Sequence, residues 1–125
     1  MNSLTQTRQD VVDVLTAAGL NAFTTIPDRA TPPLVGVSHD NPYVEDGPTM
    51  NAYTVHLAIR IVGQPGSADV AAEAIDAMVC KVITALAPDQ WSITVNGPGV
   101  MTVGNAEMPA VDISIANEIM IEGGA

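Results

Sequence analysis

Aromatic residues are nearly missing from this chain: one Phe, two Tyr and one Trp in 125 residues. Any core must therefore be aliphatic. Cations are equally scarce, with Arg8, Arg29, Arg60 and Lys81 set against 14 acidic residues, a formal charge of -10. That balance lacks the electrostatic footprint of a protein that grips phosphate backbones, and it repels duplex DNA. Cysteine is represented by Cys80 alone, which excludes an intrachain disulfide framework. Placed in the middle of a helical pattern, Cys80 is expected to be a small buried apolar residue. The first residues contain no apolar signal region, and no apolar run approaches the length of a membrane span. The expectation is a soluble protein made in the cytosol. Apolar residues make up 47% of the chain, which argues against disorder. The length fits a single domain over residues 1–125.

The stretch from Ala52 to Leu86 organises the rest. In AYTVHLAIRIV, Tyr53, Val55, Leu57, Ile59 and Ile61 fall on one face, and Thr54, His56, Ala58 and Arg60 on the other. A side-chain period of two predicts a long, half-buried strand. Gly63, Pro65 and Gly66 end it. Ser67 then suits a helix N-cap, with Asp69 near the positive helix end. Ala71, Ile75, Met78, Val79, Val82 and Leu86 recur at helical spacing, and Ala87-Pro88 closes the helix.

Around this unit, Ser3 to Gln6 matches a capping box for a helix over Leu4–Ala18, and Gly19-Leu20 matches a Schellman stop. Ala22–Ile26 and Leu34–Ser38 read as short strands, separated by a loop with Pro32-Pro33. His39–Asn51 reads as a long structureless loop, which in a compact domain is functional or disordered. Trp91–Val103 reads as one strand with a bulge at Gly97-Pro98-Gly99. Gly104-Asn105 reads as a hairpin turn, and Glu107–Ile121 as the returning strand. Asn117 breaks the apolar parity of that strand, implying a bulge or a satisfied buried amide. Gly123–Ala125 reads as a frayed tail. The order α-β-β-β-α-β-β predicts an α+β fold: one mixed, mostly antiparallel sheet of about five strands, with two helices on the same face.

Chemistry is sparse. His39, Asp40 and His56 lack the spacing of metal ligands, so no metal site is expected. No G-x-S-x-G nucleophile motif occurs, and Glu45-Asp46 reads as part of a solvated loop. Gly97-Pro98-Gly99 is too short to cradle a phosphate, and its proline removes a donor. The chain is expected to be neither an enzyme nor a cofactor binder. Long strands with few basic gatekeepers leave edges that pair, so self-association is expected. Within the 39–51 loop, Asp40, Pro42, Tyr43, Val44, Glu45 and Met50 are the candidate interface residues. Tyrosine is favoured in interfaces, and the prolines reduce the entropy lost on ordering.

Several features in order carry a resemblance. They are Ala17–Leu20 (AAGL), Pro32–Val35 (PPLV), His39–Val44 (HDNPYV), the strand Tyr53–Val62, Ile83–Leu86 (ITAL), Trp91–Val95 and the closing strand around Val111–Ile115. Across nearly its whole length the chain resembles the tail terminator proteins of long, non-contractile-tailed bacteriophages. The resemblance implies a structural virion protein at the tail–neck junction, assembled in the host cytoplasm. It implies a ring, typically six-fold, that caps the tail tube and stops its polymerisation. Its partners would be the tail tube protein and the head–tail connector, with DNA passing through the channel unbound. A neck or tail-completion protein is the nearest alternative. A small acidic ligand-binding or regulatory domain, dimeric through a sheet edge, is the alternative of another class.

Overall fold

Period-two and helical patterns become, in chain order, α1 (Ser3–Ala17), β1 (Ala22–Phe23), β2 (Leu34–Asp46), β3 (Ala52–Val62), α2 (Ala68–Leu86), β4 (Ser92–Val95), β5 (Gly99–Val103) and β6 (Ala106–Met120). This is the computed structural model of the chain, and it describes residues 3–24, 33–47, 52–63, 68–97, 99–103 and 106–120. The expected features at Ile26, Met50, Ser67, Pro98, Gly104-Asn105 and Gly123–Ala125 lie outside the described residues.

The fold is α+β. Strands lie side by side in the order β1-β2-β3-β6-β4, with β5 also paired to β6. Only β1 runs parallel to its neighbour. Strand β3 pairs antiparallel with β6 from Ala52↔Met120 to Val62↔Ala110 with no break in register. This register puts Val55, Leu57, Ile59 and Ile61 on one face, all fully buried, with Ile113 and Ile115 from β6 beside them. Helix α1 adds Val11, Val12 and Leu15 to the same cluster, and α2 adds Ile75, Val82 and Leu86. Both helices therefore cover one face, as the polar parity of the other face requires. Full burial of each large aliphatic side chain contributes about 1.5–3 kcal/mol.

Strands β4 and β5 follow one another along the same side of β6. From Val95↔Ile113 to Gly99↔Ala110 the chain advances four residues against three, so one extra residue separates the two registers. They are a single strand position interrupted by the expected bulge. The pairing Val103↔Ala106 leaves two residues for the connection into β6. Asn117 causes no bulge against β3; its Nδ2 donates to the Asp89 carbonyl at 3.0 Å.

Helix α1 closes as its sequence requires. Gly19 has φ +92°, and the Leu20 and Gly19 N–H groups donate to the Leu15 and Thr16 carbonyls at 3.1 and 3.0 Å. These are the two bonds of a Schellman motif, with buried Leu20 beside Leu15. The helix spans Ser3–Ala17, one residue earlier than expected at each end.

Three expectations are corrected. Cys80 is exposed. It stands five residues from Ile75, about 140° round the helix from that stripe residue, so the turn of α2 carries it off the buried face. Among the described residues of the expected Ala22–Ile26 strand, Ala22–Phe23 pair and Thr24 bends, while 25–26 lie outside the described residues. Residues 39–46 are strand rather than structureless loop, since β2 continues through Asp46.

Leu57→Ala is expected to cost about 2–5 kcal/mol in urea melts, as for other fully buried leucines. Thr54→Ala, on the opposite parity, is expected to cost under about 1 kcal/mol; equal losses would overturn the face assignment. Gly19→Ala is expected to cost about 1–2 kcal/mol, because a Cβ disfavours the left-handed backbone.

Candidate assembly surface

Strand β2 first pairs with β3 from Leu34↔Val62 to His39↔Leu57 and resumes at Val44↔Val55. Five steps along β2 oppose two along β3, leaving three extra residues in a bulge over Asp40–Tyr43. An acidic, proline-containing segment placed between two apolar pairings has no ladder partners and must bow out of the sheet. The Asn41–Pro42 peptide is cis, and the Asp40 Oδ1 accepts the Asn41 N–H at 2.8 Å. The His39 and Tyr43 rings meet with centroids 5.2 Å apart and planes tilted by 49°.

Five of the six candidate interface residues fall on this segment, and they divide by direction. Tyr43 and Val44 are half-buried and pack against the chain's own core. They hold the bulge down. Asp40 is half-buried, while Pro42 and Glu45 are exposed. Met50 lies outside the described residues. Because Val44, Glu45 and Asp46 pair with Val55, Thr54 and Tyr53, this segment is part of the sheet and cannot be excised as a loop.

Among the described residues, no helix covers the sheet face away from α1 and α2. Gly36, Ser38, Ala58, Asn96 and Ser114 line a shallow groove of about 530 Å³ that also reaches Arg60 and Asp112. Two charge pairs fix this face. Arg60 and Asp112 are directly opposite in register, and the guanidinium donates from Nε to Oδ1 at 2.7 Å and from Nη2 to Oδ2 at 3.1 Å. The hydrogen bond and the charge of Asp112 raise the Arg60 pKa, and burial opposes them. His56 Nε2 donates to Glu45 Oε1 at 2.6 Å. No sequence signal joins Glu45 to His56, since their meeting depends on the three-residue bulge. Arg60 and Asp112 could each be assigned to the polar parity, but their pairing needs the β3–β6 register.

His39 and His56 do not converge. His39 is in register with Leu57 on the helix-side parity, and His56 is on the other. Among the described residues, no group of three or more His, Cys, Asp or Glu is placed to hold a metal ion. No described helix is long and apolar enough to cross a membrane. No protein-family model matches the chain, and no curated protein matches it.

The Arg60–Asp112 pair is about half exposed on both sides. A double-mutant cycle with Arg60→Ala and Asp112→Ala is expected to give a coupling of about 0.2–1 kcal/mol. The coupling should shrink in 1 M salt, where the Debye length is about 3 Å.

Proposed function

We propose that this chain is a structural, non-catalytic protein of a phage tail: a terminator that closes into a ring, caps the tail tube and offers its other face to the head–tail connector. The ordered resemblance over nearly the whole chain supports the reading. The observation that carries it is that the sheet ends in unlike edges, β4 on one side and the two-residue β1 beside the longer β2 on the other, with outward positions unpaired among the described residues. Unlike edges join copies head to tail, and such contacts close into rings when the rotation permits. A charge of -10 suits a channel wall past which DNA must slide without sticking. Asp40 and Pro42 of the β2 bulge, with Glu45 just beyond it, are the proposed contact with a neighbour or with the tube. Tyr43 and Val44 pack against the core beneath it. The virion tail–neck junction is the proposed location.

One observation favours a second reading. The groove on the bare sheet face is of a size to hold a small molecule, as a dimeric ligand-binding or regulatory domain would require. Native mass spectrometry with negative-stain imaging separates the two. A ring of about six copies, as the resemblance implies, supports the terminator, whereas a compact dimer whose melting temperature rises with a small ligand supports the alternative.

Two outcomes are expected of the terminator. Asp40→Asn, which keeps the Oδ1 acceptor for the Asn41 N–H, should change monomer stability by no more than about 1 kcal/mol, yet weaken capping of purified tail tubes. Duplex DNA should show no retention in a gel shift at moderate salt; salt-sensitive micromolar binding would overturn the passive channel.

A further inference from the structure

Asn96 is the one asparagine of the chain that is followed by glycine. Asparagine amides are thermally labile. A following glycine favours the reaction, because it has no side chain to hinder attack by its own backbone nitrogen on the amide carbon. The fold leaves this pair open to that attack. Both residues are exposed and lie past the end of β4, in the interruption before β5. The Asn96 Nδ2 donates to Ser114 Oγ at 3.4 Å, beyond the usual range, so the amide is loosely held. A Cβ built on Gly97 meets nothing within 4 Å among the described residues. Asn117 is the contrast: its Nδ2 donates to the Asp89 carbonyl at 3.0 Å, and the N–H that would attack, that of Glu118, donates to its Oδ1 at 2.9 Å. Asn41 precedes Pro42, which has no N–H to attack with.

We propose that Asn96 is a site of spontaneous deamidation, and that the carboxylate it produces loosens β4 from β6. The Gly97 nitrogen bonds to Asn96 Cγ, the Cγ–Nδ2 bond breaks, and ammonia leaves with the Gly97 amide proton, giving a cyclic succinimide. Water then opens the ring. Addition at Cγ gives an aspartate, and addition at the main-chain carbonyl carbon gives an isoaspartate. The net exchange is one water taken up and one ammonia released, with no redox change. The consequence follows from register. Val95 stands opposite Ile113, and the Asn96 N–H donates to the Asp112 carbonyl at 2.8 Å, so Asn96 stands opposite Asp112. Both line the groove. A carboxylate at position 96 therefore faces that of Asp112 across the ladder, and like charges directly opposite destabilise a sheet. It also competes for the Arg60 guanidinium, which holds Asp112 at 2.7 and 3.1 Å on the same groove. The isoaspartate adds a methylene to the backbone just past this rung and so lengthens the interruption before β5. The site is independent of the ring reading. It adds, with age, negative charge to the groove of a chain that already carries -10.

The test is peptide mapping by mass spectrometry of the full folded chain, held at physiological temperature and mildly alkaline pH and sampled over time. The peptide holding Asn96 should gain the mass of amide-to-acid exchange ahead of those holding Asn21 and Asn117. Part of the product should accept methyl groups from an isoaspartyl methyltransferase. Gly97→Ala has room for its Cβ and a backbone outside the left-handed region. It should keep the melting midpoint and slow conversion severalfold. Asn96→Asp, which makes the aspartate product directly, should melt below wild type. The gap should narrow in about 1 M salt, where the Debye length is about 3 Å, and should close in an Asp112→Asn background. Conversion at Asn96 no faster than at Asn21, or seen only in urea, would overturn the site. An Asn96→Asp variant that melts with wild type, or one whose loss persists unchanged in Asp112→Asn, would overturn the loosening of β4.

Discussion

Everything in this fold hangs on the uninterrupted antiparallel pairing of β3 with β6. Its register aligns Val55, Leu57, Ile59 and Ile61 with the apolar side chains of β6, and so makes one continuous apolar face. A slip of one residue would turn that face to solvent and bury Arg60 and Asp112. The pairing also decides where the chain can change. Both irregularities, the β2 bulge and the break between β4 and β5, lie on the strands outside this pair. The helices follow from it, since α1 and α2 need an aliphatic surface and only one is offered. With so few aromatics, that surface depends on many aliphatic contacts of modest individual worth.

The two faces of the sheet have separate roles. The covered face supplies stability. The bare face is built from Gly, Ala, Ser, Thr and Asn, crossed by the Arg60–Asp112 pair and flanked by His56–Glu45. Small side chains leave a shallow groove there. The edges differ again: β2 carries proline, carboxylates and a bulge, whereas β4 is short, neutral and β-branched. These are the contrasts expected of a subunit whose contacts are made at its ends. The proposed ring draws on them.

The long strand of alternating residues, the α2 stripe, the Schellman stop at Gly19 and the bulge after Val95 are all legible in the sequence. Each is a local rule: period two, period 3.6, a left-handed backbone, a Gly-Pro-Gly interruption. The extension of β2 was not legible. Pro42 argues against a strand, and three extra residues break the alternation, so 39–46 imitates a loop. Only pairing with β3, which resumes at Val44, restores it. The interface candidates in that segment were therefore split in a way that the sequence could not show. Tyr43 and Val44 pack against the core, whereas Asp40 reaches the groove and Pro42 is exposed.

By itself, the sequence determined the class of fold, the aliphatic core, the face of β3 that is buried and the acidic character that disfavours nucleic acid. These depend on composition and on neighbours within a turn or two of the chain. The tertiary structure alone decided that Cys80 is exposed, that Arg60 meets Asp112 fifty-two residues away, and that His56 meets Glu45 across a bulge. It also decided which strands end the main sheet and which backbone groups point outward there. Those outcomes depend on register between distant segments, and no local periodicity encodes a register until the partner strand is in place.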